Sequence, residues 1–257
     1  MLNSHSDPIM LHRTKALLRL ATFVFLALCG QLKAQVLNDT FTAGKGHSNG
    51  SDINNTGNWL SQTGWLANDT NGRGYVSCGL SWSRALNFTP LAASLETEET
   101  LTVEAVWRGE GVVTAPISGG VFAIGISDGS LNSGNNIPAL RVDISLGGDG
   151  TIRFGTSSDF VSVDLADAYT GQNTHTNWFK ISMAITRSAL ADNFYIVLDV
   201  IDIDTNTNIG TVSFLAEDSA TYQASELRPA MRTLRVLTTE NPNALFSASH
   251  VDRFTIL

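Results

Sequence analysis

The sequence predicts an all-β protein: one antiparallel domain of sandwich or barrel type, preceded by a signal-peptide helix. Three observations carry this expectation. Beyond residue 34 helical periodicity is nearly absent, and apolar residues alternate with polar ones in short runs. Clusters of Gly, Asn, Asp, Ser and Thr separate those runs, as in a domain made of many short strands. Residues 1–34 differ from everything that follows.

That leader comes first in the chain. Arg13, Lys15 and Arg19 form a basic flank, and Leu20 to Cys29 then run without a charge. Such a run is too short to cross a bilayer and fits the apolar region of a signal peptide, with Ala34 as the small residue at the cleavage point. Cys29 follows Leu26-Ala27-Leu28, where a bulky Leu occupies the place a lipoprotein signal gives to a small residue. The expected organisation is therefore a signal peptide over 1–34 and one domain over 35–257, secreted or periplasmic.

Cleavage removes four basic residues and one acidic one, so the net charge moves from −8 to −11. Only Lys45 and Lys180 remain as lysines. A surface of that sign repels phosphate backbones, so nucleic acid and anionic membranes are excluded as expected partners. Cys78 is the single cysteine of the domain, so no intrachain disulfide forms, and a core this large needs none. Its apolar surroundings, Tyr75 to Leu80, mark Cys78 as buried filler.

Individual strands are legible in order. Thr100 to Arg108 places Leu101, Val103, Ala105 and Trp107 on one face. Val121 to Ser127 is nearly continuous apolar sequence interrupted by Gly125. Leu140 to Leu146 alternates strictly, and Gly147-Gly148-Asp149-Gly150 turns it into a partner beginning at Ile152 and Phe154. Trp178 to Thr186 supplies another strand. Phe194 to Ile203 is apolar on both faces and reads as a central strand. Asp204 to Asn208 turns it into Ile209 to Phe214, and Met231 to Thr238 and Leu245 to Ile256 complete the set. Between Gly44 and Gly74 a Gly/Asn/Ser/Thr-rich stretch carrying Trp59 and Trp65 reads as a long functional loop.

Several tags add a resemblance. They are Asn38-Asp39-Thr40-Phe41, Thr63-Gly64-Trp65, Ser81 to Leu86, Phe122 to Asp128 and the closing Val251-Asp252-Arg253-Phe254. Together they resemble the exported concanavalin A-like lectin/glucanase (laminin-G-like) domains of environmental bacteria. The resemblance implies a two-sheet antiparallel jelly-roll sandwich in which the first and last strands are neighbours, and a polysaccharide or glycan as partner. It implies a fold more strongly than a function.

The known chemistries of that fold leave recognisable motifs, and none is present. The glucanase pattern E-x-D-x-x-E aligns two carboxylates on one strand face, but neither Glu96 to Glu99 nor Asp199 to Asp204 matches it. The lyase motifs R-x-E-x-R and Q-I-H are missing too, so no catalytic residue is assigned. A polar strip remains: Glu104 and Arg108, Arg141 and Asp143, and Arg153 would form a charged ladder across an open face if their strands shared a sheet. Trp59, Trp65 and Trp82 could stack on sugar rings, but packing in the core or against a loop is the favoured reading for all three, with Trp59 expected to be the most exposed; Trp107 and Trp178 belong to the core. Asp202-x-Asp204-x-Asn206-x-Asn208 spaces oxygens as a calcium loop does, but lacks the glycine and the bidentate Glu of an EF-hand, which favours a plain hairpin turn. His47, His175 and His250 adjoin no cluster with ligand spacing, so no transition metal is expected and calcium is the one cofactor left open. The expected function is carbohydrate binding without turnover. A polysaccharide-degrading enzyme and an adhesive envelope protein are the alternatives.

Overall fold

The computed structural model describes residues 37–61, 64–70, 73–79, 83–88, 99–111, 119–127, 140–169, 175–188, 193–217, 228–233 and 248–257. The chain divides into two compact units, Met1–Gln35 and Val36–Leu257, and every described residue lies in the second. The expected signal segment and Trp82 lie outside the described residues.

The domain is an all-β, two-sheet antiparallel jelly-roll sandwich. Its strands are β1 (Leu37–Asp39), β2 (Trp59–Ser61), β3 (Trp65–Thr70), β4 (Arg73–Cys78), β5 (Arg84–Asn87), β6 (Thr100–Glu110), β7 (Gly119–Ser127) and β8 (Leu140–Leu146). They continue with β9 (Thr151–Gly155), β10 (Phe160–Asp164), β11 (Phe179–Arg187), β12 (Asn193–Asp202), β13 (Thr207–Glu217), β14 (Arg228–Thr233) and β15 (Ala248–Ile256). The first sheet runs β13-β12-β11-β6-β15-β4-β3, with β1 also paired to β15. The second runs β10-β9-β8-β7-β14-β5-β2. As the jelly-roll resemblance implies, the first and last strands pair, Leu37 opposite Ile256 and Asp39 opposite Phe254.

Alternation explains how the sheets face each other. On β6, Val103, Ala105 and Trp107 are buried while Glu104, Val106 and Arg108 are only half-buried, and β8 repeats the pattern with Val142 and Ile144 inward. Aromatic pairs join the sheets across the core. Trp107 meets Phe154 edge-on at 6.2 Å between ring centres, Trp59 meets Phe254 edge-on at 5.7 Å, and Trp65 lies 6.0 Å from Phe122. Each such pair contributes about 0.5–1.5 kcal/mol beyond the burial of its area. Gly125 interrupts the apolar run of β7 because a side chain there would strike the Leu140 carbonyl of β8. Cys78 is fully buried, in keeping with a packing role.

Three expectations need correction. Phe194 to Ile203 is not central: β12 lies one strand in from the β13 edge, with Phe194, Ile196, Leu198 and Val200 inward and Tyr195 and Asp199 exposed. The stretch from Gly44 to Gly74 is not a long loop, because β2 and β3 are built from it and its two tryptophans anchor them in the core. Trp59 is 1 % exposed and donates its indole N–H to the buried carboxylate of Asp39 at 2.7 Å. Trp65 is fully buried, so neither ring offers a face for stacking on a sugar.

Candidate functional site

Directly opposed residues of an antiparallel pair share a face, so strand register locates every polar side chain. Glu104 and Arg108 lie on the outer face of the first sheet, on β6, whereas Arg141, Asp143 and Arg153 lie on β8 and β9 of the second. The five-residue ladder therefore does not form. Its members lie on opposite outer faces, because β6 and β8 fold into different layers.

Each candidate has a local partner instead. Glu104 accepts from Lys180 Nζ at 2.8 Å and from Ser182 Oγ at 3.1 Å, beside a depression of about 90 Å³ lined by Val106, Arg253 and Thr255. Arg141 donates to Asp143 at 2.7 Å. Burial raises the pKa of Asp143, and the Arg141 charge opposes that rise. Arg153 pairs with Asp149 at 2.5 Å and covers the Phe160 ring at 4.5 Å. Thr151 and Arg153 together hold the Asp149 carboxyl below its ordinary range.

The second sheet also carries two arginines that the sequence did not single out. Arg84 of β5 is directly opposite Arg232 of β14, and Arg232 is opposite Ala123, which is in turn opposite Asp143. Burial lowers the pKa of both guanidiniums, and at Arg232 the charges of Arg84 and Arg141 lower it further.

A dense constellation lies where the end of β6 meets the start of β15, within the first sheet. His250 of β15 is opposite Arg108 of β6 on one side and Ser77 of β4 on the other, and Tyr75 shares that face two residues from Ser77. His250 Nε2 lies 2.7 Å from Glu110 Oε2. His175 bridges to Glu110 through the backbone, with its Nε2 4.0 Å from Glu110 Oε1. The Tyr75 ring stacks on His250 at 4.9 Å, and the two histidine rings meet edge-on at 5.6 Å. Arg108 lies over the Trp178 ring at 4.4 Å and over Tyr75 at 5.8 Å. Trp178 is thus buried as expected, but beneath an arginine on the outer face.

Residues 175–178 are held against the end of β6. Gly109 N–H donates to Thr176 Oγ1 at 3.0 Å, and Thr176 N–H donates to the Gly109 carbonyl at 2.9 Å. Asn177 Nδ2 donates to Asp202 Oδ2 at 2.6 Å, and Trp178 N–H donates to Asp204 Oδ2 at 2.7 Å. Asp202 Oδ1 also accepts the N–H groups of Asp204 and Thr205. The carboxylates spaced like a calcium loop therefore cap the β12–β13 turn and position the segment that carries His175. They act as turn and strut, as hairpin residues do.

Burial depresses the pKa of His250, the hydrogen bond to Glu110 opposes this, and the Arg108 charge adds to the depression. At His175 burial again lowers the pKa, aided by Arg108 and opposed by Glu110. Arg108 and Glu110 bring side chains of opposite formal charge to the same face. Glu110, His175 and His250 place one ligand atom each within 4.8 Å of one another, a set able to hold a metal ion. This corrects the expectation of scattered histidines. Sequence separations of 65 and 140 residues hid the cluster, and only the alternation that puts Glu104, Arg108 and Glu110 on one face hinted at half of it.

No protein-family model matches the sequence, and no curated protein matches it. Similar solved structures include the metal-free lectin I-B4 of Griffonia simplicifolia, at 13% identity and TM-score 0.48, covering 86% of this chain and 98% of that one. The winged bean acidic lectin, solved with methyl-α-D-galactose, is similar at 12% identity and TM-score 0.47, covering 86% and 97%. A carbohydrate esterase from the Shiga toxin-encoding bacteriophage phi24B is similar at 11% identity and TM-score 0.42, covering 77% and 88%. The two-sheet antiparallel sandwich is set by the strand pairing of the chain itself, and likenesses at these scores assign it no activity.

Proposed function

We propose that the domain binds a neutral saccharide, without turnover, on the outer face of the first sheet around Tyr75, Glu110 and His175. The observation behind this reading is a cluster whose outer members, Glu110 and His175, are partly exposed beside the half-buried Arg108 and above buried His250 and Trp178. A carboxylate accepts hydrogen bonds from adjacent sugar hydroxyls, and an imidazole both donates and accepts. The acidic domain repels polyanions, which favours uncharged glycans. A shallow site of this kind gives micromolar to millimolar dissociation constants, about −4 to −8 kcal/mol.

Affinity electrophoresis against neutral and uronate-containing polysaccharides tests this, using wild type, Glu110→Gln and a Glu104→Ala control. Retardation by a neutral glycan that Glu110→Gln abolishes and Glu104→Ala preserves is the expected result. Absence of binding to every glycan overturns it in favour of an adhesive role. The 2.7 Å contact of Glu110 with His250 also suits a general acid–base pair, so release of reducing or unsaturated products would establish the enzyme reading.

The domain would act outside the cytoplasm, on the strength of the basic flank and apolar run before Ala34. A mature N-terminus at Gln35 in the exported fraction is the expected mass-spectrometric result. An exported form that retains Met1 or Met10 would overturn it.

A further inference from the structure

We propose that Glu110, His175 and His250 bind a first-row transition dication of the zinc type. The inference concerns side chains of the proposed saccharide face but does not depend on a saccharide binding there.

Donor chemistry selects the ion. Two imidazole nitrogens and one carboxylate suit zinc and its neighbours, whereas calcium takes six to eight oxygens. Two His and one Glu is also the ligand count of a zinc centre that keeps a coordination position open for water or a hydroxyl group.

Geometry admits the ion with small adjustments. Ligand bonds of about 2.0–2.2 Å in a tetrahedron place ligand atoms roughly 3.4 Å apart. Glu110 Oε2 and His250 Nε2 are 2.7 Å apart, Glu110 Oε1 and His175 Nε2 are 4.0 Å apart, and all three ligand atoms fall within 4.8 Å. Rotations of the Glu110 and His175 side chains, both partly exposed, take up these differences. The backbone holds the ligands firmly: Glu110 and His250 sit on adjacent strands of one ladder, and His175 is tied down through Thr176, Asn177 and Trp178.

Two features limit the affinity. Arg108 is directly opposite His250, and its guanidinium charge repels a dication. Nδ1 of His250 is buried and has no hydrogen-bond partner among the described residues, so the outer support that strengthens most metal-bound histidines is missing on that side. Loss of such support typically weakens binding by about 10–100-fold. The site should therefore bind in the micromolar range.

Chelator-stripped full-length protein is titrated with Zn(II) by calorimetry and with Co(II) by visible absorption. One ion per chain and d–d bands of a four- or five-coordinate centre are expected. His175→Ala and Glu110→Gln should each weaken binding at least about tenfold. His175 is partly exposed, so its variant should keep the wild-type unfolding midpoint, which separates ligand loss from misfolding. Failure of the wild type to bind, or wild-type affinity in both variants, overturns the inference. Displacement of Co(II) by equimolar Ca(II) overturns the assignment to a transition metal. Glycan electrophoresis with and without chelator separates the two proposals. Metal binding without glycan retention leaves this inference standing and removes the saccharide reading, and glycan retention without metal binding does the reverse.

Discussion

The side-chain amide of Asn177 donates to Asp202 Oδ2 at 2.6 Å, and through this bond the β12–β13 turn fixes the segment that presents His175 beside Glu110. Asp202 is 3 % exposed and also accepts two backbone N–H groups of its own turn. One carboxylate thus ends a hairpin and supports a site on the neighbouring strands.

Asp202→Ala should therefore cost about 1–3 kcal/mol, since it removes the acceptor of the buried Asn177 amide and of two part-buried turn N–H groups. Urea unfolding measures the cost. Where the variant folds, Co(II) affinity should also fall, because residues 175–178 lose an anchor. A change below about 1 kcal/mol would show that the turn does not support the site.

A second buried carboxylate organises the residues around Trp59. Asp39 accepts the indole N–H of Trp59 at 2.7 Å, the Phe41 N–H at 2.8 Å and His47 Nε2 at 2.9 Å. Trp59→Phe keeps most of the packing and loses one charge-assisted bond, so it should cost about 1–3 kcal/mol, and Asp39→Ala should cost more. Gly57 has φ +51°, and a Cβ there would lie 2.8 Å from the His47 ring. Gly57→Ala should accordingly destabilise by more than about 1 kcal/mol in the same measurement.

Deletion of residues 251–257 should prevent soluble expression. β15 lies between β6 and β4 and also carries β1, so its loss opens two sheet edges and removes Phe254 from the core. Recovery of a soluble, cooperatively folded truncated protein would show that the other strands close the sheet without it.

Alkaline pH offers a separate check. Tyr169 donates its hydroxyl to the Gly111 carbonyl at 3.1 Å, and burial pushes its pKa up to about 12. Its unfolded value is about 10, so the folded chain binds more protons between pH 10 and 12. Stability should fall as pH rises through that window, and Tyr169→Phe should flatten the loss. Phenolate absorbance should show one tyrosine ionising last, and uniform titration of all tyrosines near pH 10 would contradict this burial.

The sequence by itself determined the class of fold. Alternation on Thr100–Arg108 and Leu140–Leu146, the glycine turn after Leu146 and the apolar ends near Leu37 and Ile256 are local signals, because side chains in a strand point to opposite faces with period two. Tertiary structure decided which strands share a layer. It separated Glu104 and Arg108 from Arg141, Asp143 and Arg153, buried Trp59 beside Asp39, and brought Glu110, His175 and His250 within reach of one another. Periodicity records which way a side chain points but not which strand lies beside it. That choice depends on contacts between residues as distant in sequence as Leu37 and Ile256, and no local pattern encodes them.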